Sequence, residues 1–107
     1  MSNKKLALVQ ATPDAPEQYY IFPDGRRLPR NFVYGLIAQI IARTPLLVRG
    51  HEYTLRQICG DDYWLRLQGH ETTAGVCVLQ LCKTPDVVPL IDTGKKNSEN
   101  HHLYLIE

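Results

Sequence analysis

Between residues 29 and 43 the apolar side chains fall at Phe32, Val33, Leu36, Ile37, Ile40 and Ile41, the i, i+1, i+4, i+5 spacing of one helical stripe. Pro29 suits a first helical turn and Pro45 stops the helix after Thr44, so the spacing predicts a core helix over 29–43. Gly35 costs that helix about 1 kcal/mol relative to alanine and leaves room for another backbone to approach. Upstream the pattern is strand-like. Lys5 to Gln10 and Tyr19 to Phe22 are short, β-branched or aromatic runs, and Thr12 to Pro16, with two prolines, is a loop between them. Pro23-Asp24-Gly25 is a turn, because proline presets φ and glycine accepts positive φ. Strands at 5–10, 18–22 and 26–28 make a small N-terminal β-meander.

Downstream, Leu46-Leu47-Val48 is a brief apolar run ended by Arg49-Gly50. Thr54 and Gln57 match a capping box, which opens a short helix over 55–59. Gly60 ends it, Asp61 caps a further turn over 63–67, and Gly69-His70 breaks that segment. Residues 71–83 carry two readings. Ala74, Cys77, Val78 and Leu81 fit a helix that Thr72 or Thr73 would cap, whereas Gly75-Val76-Cys77-Val78 is a poor helix former and reads as a strand. The helix is preferred because the run exceeds typical strand length. Val87 to Ile91 and His102 to Ile106 are strand-like around a polar stretch, and Pro89 confines the first to a sheet edge or a bulge.

The fold class expected is α+β, one domain over 1–107, with N-terminal strands to residue 28, a three-helix core over 29–84 and a C-terminal hairpin over 85–107. The other arrangement is a sheet of four or five strands, residues 75–82 among them, with the 29–43 helix across one face.

Composition narrows this only a little. With 107 residues, 44% hydrophobic and 21% charged, the chain has enough apolar material for one core and is unlike a disordered chain. No apolar run approaches the ~20 residues that span a bilayer, and the basic start lacks the apolar length of a signal peptide, so a cytoplasmic protein away from membranes is expected. Cys59, Cys77 and Cys82 are an odd set without a paired spacing, which points to reduced thiols. Net charge is +1, but it is uneven: the first sixty residues carry +4 and the rest −3. Positive charge concentrates only at Arg26, Arg27 and Arg30 and at Lys95-Lys96. Opposite signs in the two halves suit head-to-tail or two-fold self-association; the plain alternative is mixed surface charge.

From residue 29 the order helix, short helix, helix, strand, polar loop, strand resembles the winged helix-turn-helix architecture. The resemblance implies a third helix entering the DNA major groove with Glu71, Thr72 and Thr73 at its start. It also implies a hairpin wing presenting Lys95, Lys96, Asn97 and Asn100. A double-stranded DNA partner would then be held by Arg26, Arg27, Arg30, Thr72, Thr73, Lys95, Lys96 and Asn97. Glu71 and the Asp61-Asp62 pair set negative charge against phosphate at that surface. The leading reading is therefore a non-enzymatic interaction protein, a homodimer or the binder of a protein partner. Tyr19, Tyr20 and Phe22, on an edge strand, are its candidate interface.

Chemistry-bearing constellations are sparse. The histidines and cysteines form no C-x-x-C or H-x₃₋₅-H pair, and Cys77 and Cys82 point to different faces of a helix, so no metal is expected. Cys59 with His51 or His70 would be a thiol–imidazole pair, but Leu55, Ile58 and Trp64 around it mark a core thiol. Adjacent Asp61 and Asp62 diverge by about 100° on a helix and would not share a proton. Gly94-Lys95-Lys96-Asn97-Ser98 lacks the second glycine of a phosphate loop. No catalytic residue, cofactor site or metal site follows.

Overall fold

The turn at residues 23–25 forms as its residue types dictate. In the computed structural model, which describes residues 18–107, β1 (Tyr19–Ile21) and β2 (Arg27–Pro29) pair antiparallel with Tyr20 opposite Leu28. Gly25 takes φ 88°, its N–H donates to the Phe22 carbonyl at 2.9 Å, and the Phe22 N–H donates to the Arg26 carbonyl at 2.9 Å. Tyr20 packs on Phe22 with ring centroids 4.9 Å apart and meets Tyr34 edge-on at 6.0 Å. The expected strand at 5–10 and the loop at 12–16 lie outside the described residues.

Helix α1 runs Arg30–Arg43. It starts one residue later than the spacing predicts because Pro29 is still paired with Tyr19 in the hairpin. The buried stripe is also narrower. Val33, Leu36 and Ile40 are fully buried, Phe32 and Ile37 half-buried, and Ile41 is 50% exposed. At about 100° per residue, Phe32 and Ile41 sit roughly 80–100° from the centre of the stripe, which places them at its margins. Contacts divide the chain into two compact units, one ending at Gly35 and one running Leu36–Glu107.

In the second unit α1 passes into a 3₁₀ turn, Thr44–Leu46, with Pro45 in its first positions. The apolar run that follows forms no strand: Leu46 is 71% and Val48 52% exposed. A two-residue strand, β3 (Glu52–Tyr53), comes next and has no signal in the spacing. Helix α2 (Leu55–Cys59) opens on the expected capping box. The Gln57 N–H donates to Thr54 Oγ1 at 3.3 Å, and the Thr54 N–H donates to Gln57 Oε1 at 2.8 Å. Helix α3 (Asp61–Arg66) is capped at Gly60, not at Asp61. The Asp61 carboxylate, already within the first turn, instead accepts from Arg56 Nε at 3.0 Å.

Helix α4 (Glu71–Cys82) settles the ambiguous segment: Ala74, Cys77, Val78 and Leu81 are its buried face. Its N-cap is His70, so Thr72 and Thr73 stand inside the helix and neither caps it. Strand β4 (Leu90–Lys96) begins three residues later than expected and reaches well into the polar stretch. Pro89 has no N–H for a ladder, though its carbonyl accepts from the Glu107 N–H at 3.0 Å. β5 (His102–Ile106) is the central strand of an antiparallel sheet ordered β3-β5-β4, with a register irregularity between Asp92 and Lys96. Among the described residues the fold is thus α+β, with four α-helices, two small antiparallel sheets and a C-terminal hairpin.

The corner between α2 and α3 is held by side chains of α1. Gln39 Nε2 donates to the Cys59 carbonyl at 2.7 Å and Arg43 Nε donates to the Ile58 carbonyl at 3.0 Å. Gly60 turns the chain there at φ 88°, with the Arg43 guanidinium 3.3 Å from where a Cβ would stand. Ile40→Ala should lower the unfolding free energy by about 2–5 kcal/mol. Gly60→Ala should lower it by about 1–3 kcal/mol through backbone strain. Urea denaturation followed by circular dichroism measures both, and an unchanged midpoint for either variant would contradict this packing.

Candidate functional site

Helix α4 carries two apolar stripes. Ala74, Cys77, Val78 and Leu81 are buried in the core, while Thr72, Gly75, Val76 and Leu79, again spaced i, i+3, i+4, i+7, line a half-open cleft. The opposite walls come from Thr54, Leu55 and Arg56 at the start of α2, Trp64 of α3, and Asn100, His101, His102 and Tyr104 of the hairpin. Its volume is about 420 Å³, within the ~300–1,000 Å³ range of small-molecule and peptide side-chain pockets. All of it belongs to the second unit.

Gly75 is the unusual member of this lining. The glycines at 25, 50, 60, 69 and 94 take positive φ, which explains them sterically. Gly75 sits in mid-helix, where glycine costs about 1 kcal/mol relative to alanine. Among the described residues, no atom beyond its own helical turn and chain neighbours lies within 4 Å of the position a Cβ would occupy. No close approach of another element requires it.

The residues expected to contact DNA divide among several roles. Thr72 lines the cleft; Thr73 is half-buried beside it and is not part of the lining. Lys95 Nζ forms an ion pair with Glu52 Oε2, reaching from β4 to β3, with β5 between the two strands. Lys96 is exposed and pairs in register with His102. Asn97 builds the hairpin turn, its Oδ1 accepting from the Glu99 and His101 N–H groups at 2.9 Å. In the first unit, Arg26 pairs with Asp24 at 3.5 Å and Arg27 lies 5.1 Å from the centre of the Tyr19 ring. Arg30 is half-buried at the start of α1. Of the candidate interface residues, Tyr19 and Tyr20 are half-buried and Phe22 is buried; the exposed side chain of that strand is Ile21.

Trp64, Gly75, Val76, Leu79, His101 and His102 did not enter the sequence-based candidate site. The second stripe on α4 is readable in the spacing, but it is overshadowed by the stronger core stripe two positions along the chain.

The three cysteines are free thiols, with Cys59 and Cys77 buried and Cys82 half-buried. Burial pushes each thiol up to about 12, partly opposed at Cys59 by the Arg43 guanidinium and reinforced at Cys82 by Asp92 and Glu107. Burial, followed by the charge of Cys82 and Asp92, also raises the Tyr104 phenol. At neutral pH these thiols stay protonated, so none of them is an activated nucleophile. Among the described residues, no three His, Cys, Asp or Glu side chains gather to hold a metal ion, and no helix is long and apolar enough to cross a membrane.

A raised folded-state pKa stabilises the fold fully below the unfolded value and loses that contribution as pH rises toward the folded one. The cysteine contribution should therefore be intact below pH 9.0 and decline between there and about 12. Thermal melts across alkaline pH should show a steady melting temperature up to that threshold and a fall above it. The fall should be smaller in Cys77→Ala, measured against that variant's own neutral-pH value. No protein-family model, curated protein or solved structure matches this chain, so its function has to come from these residues themselves.

Proposed function

We propose that this chain is a non-enzymatic interaction protein that acts by self-association, most simply as a two-fold dimer. The observation that carries the reading is the exposed apolar set at the end of α1 and just after it. Ile41, Leu46 and Val48 are 50%, 71% and 52% exposed within eight residues of chain. Large apolar side chains clustered on a surface are characteristic of association sites, whereas scattered ones are ordinary. The charges of the second unit are compatible with such contact, since Lys95 and Arg56 are already matched by Glu52 and Asp61.

A second reading, a winged-helix DNA-binding regulator, is favoured by the topology. The order that α1 begins, with three more helices and then an antiparallel hairpin after the last, suits that architecture. The chemistry of α4 weighs against it. The helix that would enter the groove contains no lysine or arginine, begins with Glu71, and turns an apolar stripe outward.

Light scattering should find about twice the 12.2 kDa chain mass at high micromolar concentration, and Leu46→Asp with Val48→Asp should return it to the monomer. A monomeric wild-type chain would exclude self-association. For the second reading, titration of a duplex oligonucleotide at two salt concentrations is the test. DNA binding predicts a log–log salt slope of about −0.9 per neutralised phosphate, flattened by Lys96→Ala. Absence of binding at low salt would remove the DNA reading.

A further inference from the structure

The geometry points to the cleft between α4 and the hairpin as a binding site for a small, largely apolar molecule, most simply an aromatic ring with one uncharged polar group. Its lining is apolar at Trp64, Val76 and Leu79 and offers the Thr72 hydroxyl and the His102 ring as hydrogen-bonding partners, while Arg56, paired with Asp61, and Glu71 bring opposite charges that leave no net charge for a ligand to match. Sites for small molecules have this composition: a mostly apolar concavity with a few polar groups that fix orientation. The volume of about 420 Å³ holds a molecule of that size without rearrangement.

Gly75 is the feature that selects this reading over an incidental surface dent. A mid-helix glycine is unfavourable, and here neither positive φ nor a packed neighbour accounts for it. What the absent side chain provides is open space on the cleft wall, where a ligand can lie directly against the helix backbone. Alanine or leucine at the same position would strengthen the helix and fill that space. The residue thus sacrifices helix stability for a concavity that the fold itself does not use.

The single tryptophan of the chain is in this lining, so its emission reports on the site directly. Benzyl alcohol is a suitable probe, with excitation restricted to the indole, and glycerol is the control. Benzyl alcohol should shift Trp64 emission saturably, with Kd below about 1 mM, and move the backbone amide signals of residues 72–79 and 101–102. Gly75→Ala should raise the melting temperature by a few degrees. Gly75→Leu should fold and weaken the probe at least tenfold. A response that does not saturate, one that glycerol reproduces, or one unchanged in Gly75→Leu would overturn the proposal. So would a Gly75→Ala variant less stable than the wild-type chain, because the wall would then not be open. None of these outcomes depends on the oligomeric state, so self-association and ligand binding stand or fall separately.

Discussion

Two side chains of α1 close the C-terminus of α2, and the geometry of the second unit depends on that closure. A helix of five residues cannot persist by its own hydrogen bonds, since nucleation alone consumes most of what so short a helix can form. Its last carbonyls have no helical partner, and Gln39 and Arg43 supply donors to those of Cys59 and Ile58. The capping box at Thr54 and Gln57 satisfies the other end. With both ends fixed, Gly60 can reverse the chain at positive φ and start α3 within one residue. The Arg43 guanidinium that completes α2 also lies 3.3 Å from where a Cβ at Gly60 would stand, and the φ of 88° there is what calls for glycine.

This corner sets the direction of α3 and so the position of Trp64, one wall of the cleft. The other wall is α4, a helix apolar on two sides. A 12-residue helix with a single buried stripe would ordinarily turn polar residues outward. Here the second face offers Gly75, Val76 and Leu79, and the hairpin covers it only in part. Apolar surface left open at this scale is a cost to a small domain, which has little buried area to spare. That cost is the physical reason for placing a binding function there.

Helices proved more readable from the sequence than strands, for a mechanical reason. The α1 stripe, the Thr54–Gln57 box and the α4 core face are all local patterns within one element, so spacing alone reveals them. Strand β3 is two residues long and exists because β5 lies beside it, a partner some fifty residues downstream that no local pattern announces. The extension of β4 to Lys96 is of the same kind: pairing with His102 holds a polar segment that would otherwise read as loop. Side-chain roles were hidden for a related reason. Asn97 and Lys95 look like nucleic-acid contacts from composition, but the turn and Glu52 engage them once the sheet is formed. Asp61 looks like a cap, but Gly60 takes that position because the preceding helix already ends in it.

The placement of charge completes the argument about partners. Phosphate recognition needs cations that are exposed, convergent and free to exchange their counterions for the backbone. In this fold Arg26 is matched by Asp24, Arg56 by Asp61 and Lys95 by Glu52, while Arg27 and Arg66 lie over Tyr19 and Tyr63. Surface pairs of this sort add little stability, generally under about 1 kcal/mol each. Their larger effect is on the field around the molecule, because each matched cation presents a dipole to solvent in place of a net charge. Among the described residues three cations are matched in this way while Arg49, Lys83 and Lys96 are not, and the exposed side chains include Ile21, Ile41, Leu46 and Leu65, which gain from apolar contact. On that balance it is the surface chemistry, and not the order of elements, that supports the proposed interaction reading over nucleic-acid binding.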